Sequence, residues 1–267
     1  MPAKTIELSP DIRVMQRMTQ MLWLCLLVLL AATLLLLLGR SPWFTLRSVV
    51  VEGDSAHYNA LTLRANVAPR LHGNFFSLDL QATKSVFESQ PWIRRAVVRR
   101  EFPNRLRVFL EEHQAVGVWG RGMGGEAQLI NSFGEVFDAN TGEVDADEMP
   151  LFSGPSEQSR LMLDMYRRLN TQFQPYELVV DRLSLSGQGS WQATLDSGTV
   201  MELGRGGIEQ VLSRTHVFLA TANQASAQWG RKMQRDIESV DLRHSNGYAI
   251  KLRGVGTVPV KAVTPKE

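Results

Sequence analysis

The chain has 267 residues, of which 44% are hydrophobic, and its 29 basic and 27 acidic residues leave a net charge of +2. Such a near balance does not describe a dedicated nucleic-acid binder, and no low-complexity stretch or exact repeat marks the chain as disordered or as a solenoid. The single cysteine, Cys25, excludes a disulfide of the chain's own, so stability must come from packing.

Polar residues 1–20 precede the apolar run from Met21 to Leu38, whose only polar interruption is Thr33. Its eighteen residues would cover about 27 Å as a helix, close to the ~30 Å hydrocarbon core of a bilayer. Gly39 extends the run, so residues 21–39 are predicted to form one transmembrane helix, with Trp23 and Trp43-Phe44 as interfacial aromatics. A cleaved signal peptide is the alternative. Against it stand the length of the run, the polar stretch before it, and the exit Leu38-Gly39-Arg40-Ser41-Pro42, which lacks a small-x-small site. Lys4, Arg13 and Arg17 before the run outnumber Arg40 and Arg47 after it by one, which favours a cytoplasmic N-terminus.

Beyond the anchor, Phe44 to Gly53 is a β-branched run halted by Gly53-Asp54, a strand ending in a turn. Leu61, Leu63, Val67 and Leu71 have helical spacing, and Ser77 or Asp79 can cap a second helix running through Val86-Phe87. Between Arg94 and Glu112 the pattern is that of a hairpin turning at Phe102-Pro103-Asn104. Leu106, Val108 and Leu110 share one face, and Arg105, Arg107, Phe109 and Glu111 the other. The arginines suit the solvated face of a half-buried sheet, although contact with a partner or with lipid is a second reading.

Later segments read as a mixed domain. Leu129-Ile130 and Val136-Phe137 flank a turn at Ser132-Phe133-Gly134. Pro155-Ser156-Glu157 offers an N-cap to a helix with Leu161, Met162, Met165, Tyr166 and Leu169 as its apolar stripe. From Val179, three alternating segments around Leu183, Trp191 and Met201 suggest an antiparallel meander. An amphipathic helix follows with Ile208, Val211, Leu212, Thr215, Phe218 and Leu219, then closing strands at Ile237 to Leu242 and Tyr248 to Leu252 joined around Asn246-Gly247.

Catalytic signatures are sparse. His57, His72, His113, His216 and His244 are dispersed without ligand spacing, so no metal site and no cofactor is expected. Gly204-Arg205-Gly206-Gly207 lacks the Lys-Ser/Thr of a phosphate-binding loop and reads as a strand-to-helix turn, while Arg121 to Gly125 reads as a flexible loop. No catalytic residue is assigned.

The order strand, helix, helix, strand, strand is that of a POTRA domain. Phe44 to Gly53, Asn74 to Asp79, and Pro91 to Leu106 together resemble the FtsQ/DivIB family of bacterial cell-division proteins. The resemblance continues through Gln128 to Phe137, Met149 to Pro155, Ser190 to Gly198, and Val240-Asp241-Leu242-Arg243 in the family's order. It implies an α+β fold: a transmembrane helix, a POTRA domain over residues 44–116, a mixed α/β domain with an antiparallel sheet (the β domain) over 117–256, and a flexible tail over 257–267.

The resemblance further implies a scaffold, not an enzyme, anchored in the inner membrane with its bulk in the periplasm and concentrated at the septum. Its expected partners are FtsB and FtsL, with FtsK, FtsW, FtsI and FtsN as further contacts in the division machinery. In the family the partner pairs with the last strand of the β domain, a case of β-augmentation. That strand corresponds here to Arg243, His244, Ser245, Asn246, Gly247, Tyr248, Ala249, Ile250, Lys251 and Leu252. His244 stands where the family often has Tyr, and Leu252 about where a Trp can occur, which thins the aromatic anchors and leaves Tyr248 to compensate. Tyr248, Ile250 and Leu252 can equally be one face of a closing strand. A POTRA-bearing transport or secretion factor and an anchored periplasmic enzyme are the rival classes.

Overall fold

The computed structural model describes residues 10–39, 45–53, 57, 60–71, 73–120, 128–228, 236–244 and 247–254. The readings of Trp43-Phe44, of the Arg121 to Gly125 loop and of the tail from Thr257 lie outside the described residues. Two compact units divide the chain, residues 1–112 and 113–267.

Helix α1 runs from Pro10 to Gly39, starting eleven residues before Met21. A proline in the first turn fits, because its missing N–H would have no helical acceptor there. Met21 and Leu38 both lie inside α1, and residues 14–34 form a candidate span with no part of it buried. The helix is therefore longer than its apolar run. Polar Gln16, Arg17 and Gln20 carry good helix propensity and continue it backwards.

The rest of the first unit is a three-stranded sheet with two helices. Strand β1 (Ser48–Gly53) is followed by α2 (Ala60–Val67), α3 (Leu80–Glu88), β2 (Ile93–Glu101) and β3 (Arg105–Glu112), in the sheet order β1-β3-β2. The strand expected from Phe44 begins only at Ser48, where parallel pairing with Arg105 of β3 starts. Gly53 ends β1 at φ +141, where a Cβ would overlap the Leu110 carbonyl, so this position requires glycine. Asp79, one of the two cap candidates, caps α3 by accepting from the N–H groups of Gln81 and Ala82 at 2.8 and 3.2 Å. Leu63, Val67, Leu78, Phe87, Ile93, Leu106, Val108 and Leu110 are the core. On the solvated face Arg107 reaches Glu52 of β1 and Glu101 of β2, at 2.8 and 2.9 Å, so one guanidinium links all three strands.

The second unit is built on a nine-stranded mixed sheet. Its strands are β4 (Ala115–Trp119), β5 (Gln128–Asn131), β6 (Val136–Phe137), β7 (Leu151–Ser153), β8 (Val180–Leu185), β9 (Ser190–Leu195), β10 (Val200–Arg205), β11 (Ile237–Asp241) and β12 (Ala249–Leu252). They lie in the order β12-β11-β10-β9-β8-β7-β4-β5-β6. The expected meander β8-β9-β10 is antiparallel, but β4 with β7, β7 with β8, and β10 with β11 pair in parallel. Helix α5 (Ile208–Gln228) is the crossover between β10 and β11. Such a helix is what a parallel pairing of consecutive strands needs.

Helix α4 (Ser159–Phe173) packs against β8 and α5, and α5 against β10. Its N-terminus departs from the sequence reading. Residues Ser156–Gln158 form a separate 3-10 turn, and Ser159 uses its hydroxyl to donate to the Gly134 carbonyl at 2.7 Å. The buried stripe is Met162, Leu163, Met165, Leu169 and Phe173, while Leu161 is 42% exposed.

Candidate partner-docking edge

The last strand owes its position to the pairing that precedes it. β11 joins the sheet beside β10, with Val200, Met201 and Glu202 opposite Ser239, Val240 and Asp241. β12 then returns antiparallel, Ala249 opposite Asp241, Ile250 opposite Val240 and Lys251 opposite Ser239. No strand lies on its other side among the described residues. Backbone groups of successive strand residues point to opposite sides. Arg253 N–H donates to the Asp236 carbonyl at 2.8 Å, toward β11. By alternation Lys251 and Ala249 also face β11, and the N–H and C=O groups of Leu252 and Ile250 face the open side.

Side chains on β12 divide between the faces. Tyr248, Ile250 and Leu252 are half-buried against the core of the second unit, whereas Ala249 and Lys251 are exposed. The Tyr248 ring stands edge-on to Phe218 at 5.2 Å, and its hydroxyl lies 2.7 Å from Thr221 Oγ1, both residues of α5. Lys251 pairs with Glu238 across β11. The reading of Tyr248, Ile250 and Leu252 as one face of a closing strand describes their own packing, and it leaves the strand's main chain as its free feature.

Upstream, the segment is clamped. Buried Leu242 donates its N–H to the Glu202 carbonyl at 2.8 Å, and exposed Arg243 folds back on Asp241 with Nη2–Oδ2 at 2.6 Å. The guanidinium hydrogen bond of Arg243, reinforced by its backbone N–H, holds the Asp241 carboxyl down at about 2. Gly204, in a bulge of β10 at φ +79, lets Arg243 lie close, since a Cβ there would come 3.2 Å from Arg243 Cγ. His244 is exposed, and Ser245 and Asn246 lie outside the described residues.

Between this segment and α5 is a cavity of about 170 Å³ lined by Ser213, Arg214, Val217, Leu242, His244, Gly247 and Tyr248. Arg214 donates to the carbonyls of Leu203 and Arg205, both at 2.8 Å, which fixes its guanidinium at the cavity wall. The sequence reading used α5 only for its buried stripe and did not single out Ser213, Arg214 or Val217. Their one signal is that Ser213 and Val217 lie opposite Thr215 while Arg214, one turn before Phe218, borders the buried stripe, a pattern that marks solvent until β12 is known to lie beside it.

Gly204 to Gly207 does connect strand to helix, and the Gly206 carbonyl accepts from Trp191 Nε1 at 3.2 Å. His57 stacks on Trp92 at 3.9 Å and His113 on Phe137 at 4.1 Å. Among the described residues no three His, Cys, Asp or Glu side chains gather as a metal site.

Known families match both units. The model described as "Cell division protein FtsQ/DivIB, C-terminal" matches residues 117–243, and "POTRA domain, FtsQ-type" matches residues 44–113. A protein named "Cell division protein FtsQ" from Burkholderia pseudomallei is 38% identical over 92% of this chain and 94% of its own length. Proteins of the same name from Thiomonas arsenitoxydans, 37% identical over 93% and 90%, and Bordetella pertussis, 36% over 85% and 88%, are also similar. The first family model ends at Arg243, just before the open strand, while the alignments to whole relatives cover most of both chains. With an apolar N-terminal helix, a POTRA domain and a mixed α/β domain in this order, the chain belongs to the FtsQ/DivIB family of cell-division proteins.

Proposed function

We propose that this chain is a non-catalytic scaffold of the division machinery, held by α1 in the inner membrane at the septum, which docks FtsB and FtsL through the open edge of β12. The observation that carries the reading is the placement of β12 at the end of the nine-stranded sheet with the main-chain groups of Ile250 and Leu252 turned outward. An added strand would satisfy those groups, and the cavity bounded by Arg214, His244 and Tyr248 would take a side chain from it. In this reading residues 1–20 are cytoplasmic, 21–39 span the membrane, and the POTRA domain (44–116), β domain (117–256) and tail (257–267) are periplasmic. Orientation rests on the excess of Lys4, Arg13 and Arg17 over Arg40 and Arg47. FtsK, FtsW, FtsI and FtsN are proposed as further contacts in the same assembly.

Ile250→Pro tests the docking edge. Proline at this position deletes an outward N–H while sparing the donors that face β11, whereas Ile250→Ala trims the side chain and keeps the N–H. Recovery of FtsB and FtsL with the full-length chain from membranes is expected to fall about tenfold for Ile250→Pro, the worth of one or two main-chain bonds, and to change little for Ile250→Ala. Equal recovery with both variants overturns the edge assignment. Recovery of outer-membrane barrel or secretion proteins in their place would support a transport role.

A further inference from the structure

At one end of the first unit, two large aromatic side chains face solvent. Phe76, in the turn before α3, is 55% exposed and Phe102, in the turn between β2 and β3, is 73% exposed. Buried Phe75 joins them, edge-on to Phe76 at 5.2 Å and to Phe102 at 6.1 Å. Arg100 fastens the two turns together by donating to the carbonyls of Phe76 and Leu78, at 3.3 and 2.6 Å. The cluster is a built surface rather than a pair of stray residues.

Chain connectivity says what this end faces. The Arg47 N–H donates to the Asn104 carbonyl at 3.0 Å, and Ser48 pairs with Arg105, so the chain enters β1 beside the turn that carries Phe102. Eight residues, 40–47, separate Gly39 at the end of α1 from Ser48. Even fully extended, eight residues span no more than about 29 Å. The aromatic end is therefore tethered within reach of the point where α1 leaves a bilayer.

Positive charge adds to the aromatic end. Arg47 and Arg105 are exposed at the aromatic end and make no ion pair among the described residues, and Arg100 lies beside them. The acids nearby are committed, Glu101 to Arg107 and Asp79 to the cap of α3. At the opposite end, where α3 and β3 finish, Glu88, Glu111 and Glu52 are paired with Lys84, Arg94 and Arg107, Glu112 lies 3.5 Å from His57, and Arg95 is exposed beside them. A bilayer with anionic headgroups attracts the first end through its two exposed guanidinium groups.

We propose that the end of the POTRA unit bearing Phe76, Phe102, Arg47 and Arg105 docks on the anionic lipid surface around α1. The phenyl rings enter the interfacial layer and the two guanidinium groups meet lipid phosphates, as aromatic and basic residues do on interfacial helices. This holds the unit with the C-terminal ends of β1 and β3 away from the membrane. The proposal depends on α1 spanning a bilayer and is independent of the role given to β12.

The test uses the full-length chain in nanodiscs, with Cys25→Ser as background because Cys25 is the only native cysteine. A fluorophore is attached through Asn104→Cys at the aromatic end or, as a control, through Ser89→Cys at the far end of α3, and quenching by nitroxide-labelled phosphatidylcholine is measured. With phosphatidylglycerol present, quenching at position 104 is expected to exceed that at 89 several-fold. It is expected to drop to the level of 89 in Phe76→Ser/Phe102→Ser, and to lose its dependence on phosphatidylglycerol in Arg47→Glu/Arg105→Glu. Should the aromatic variant lose its fold by circular dichroism, the charge variant alone decides. Equal quenching at 104 and 89, or quenching at 104 that neither pair alters, overturns the proposal.

Discussion

The Tyr248 hydroxyl donates to Thr221 Oγ1 across 2.7 Å, tying the residue before β12 to α5. The direction follows from the threonine, whose single hydroxyl hydrogen is already given to the Val217 carbonyl at 2.7 Å. Tyr248→Phe removes this bond and retains the ring against Phe218. It is expected to lower unfolding stability by about 1 kcal/mol, and Tyr248→Ala by more, as the ring contact is lost too. Denaturant unfolding of the full chain in detergent checks both. On the docking proposed above, affinity for FtsB should change by less than twofold for Tyr248→Phe, because the hydroxyl serves the chain's own fold.

Acid should loosen the same corner. Asp241 has its carboxyl lowered from 3.8 to about 2, chiefly by the hydrogen bond from Arg243. A depressed carboxylate contributes stability that is complete above its unfolded value and is lost as pH falls through the folded one. The clamp between Asp241 and Arg243 is therefore expected to hold at neutral pH and to fail between about pH 4 and pH 2. Protection factors, which remove the intrinsic pH dependence of amide exchange, should fall for residues 240–244 and 247–252 across that window, and Asp241→Asn should abolish this pH dependence while leaving protection low at neutral pH. An unchanged profile in Asp241→Asn would show that other carboxylates govern the strand.

Asn131 is a buried polar hub at the end of β5. Its Oδ1 accepts from the N–H groups of Phe133 and Glu135, both at 2.9 Å, and its Nδ2 reaches Glu135 Oε2 at 2.9 Å and His113 Nδ1 at 2.8 Å. Asn131→Leu, which keeps the branched shape but is larger, removes the Oδ1 that two turn N–H groups donate to. A loss of about 2–4 kcal/mol is expected, well beyond that of an exposed substitution. Calorimetric or chemical unfolding measures it, and a loss below 1 kcal/mol would mean that water replaces the side chain.

Local pattern carried much of this architecture. The apolar run marked α1, alternation marked β2 and β3, and Asp79 marked the start of α3, since each signal is written in neighbouring residues. Strands β4 and β7 left little trace, being five and three residues long and paired with each other in parallel from distant parts of the chain, with β5 antiparallel on the other side of β4. Leu161 was misplaced for a related reason. Leu161 lies at the edge of the stripe of Met165 and Leu169, and which edge of the stripe is covered depends on β8 and α5, which pack on α4 from later in the chain. The open edge is legible as a closing strand in the pattern from Tyr248 to Leu252, but the facing of its main chain depends on which side β11 occupies. The contribution of Arg214 and Val217 required α5 to lie beside it.

That dependence on a neighbour can be tested at Gly204. Its φ of +79 disfavours any L side chain, and a Cβ would press on Arg243, at 3.2 Å from Cγ and 3.3 Å from Cα. Gly204→Ala is expected to cost about 1–3 kcal/mol through backbone strain and displacement of Arg243. Because Arg243 anchors the chain leading to β12, the variant should also raise hydrogen exchange over residues 247–252. Gly187, in the turn between β8 and β9, has open space where a methyl group would sit, with no atom within 4 Å, and no positive φ, so Gly187→Ala should stay within about 0.5 kcal/mol of the parent. If the two alanine variants unfold alike and exchange alike, the bulge in β10 does not support the docking strand. A selective effect of Gly204→Ala on exchange at β12 ties the bulge, the Asp241–Arg243 clamp and the open edge into one mechanical unit.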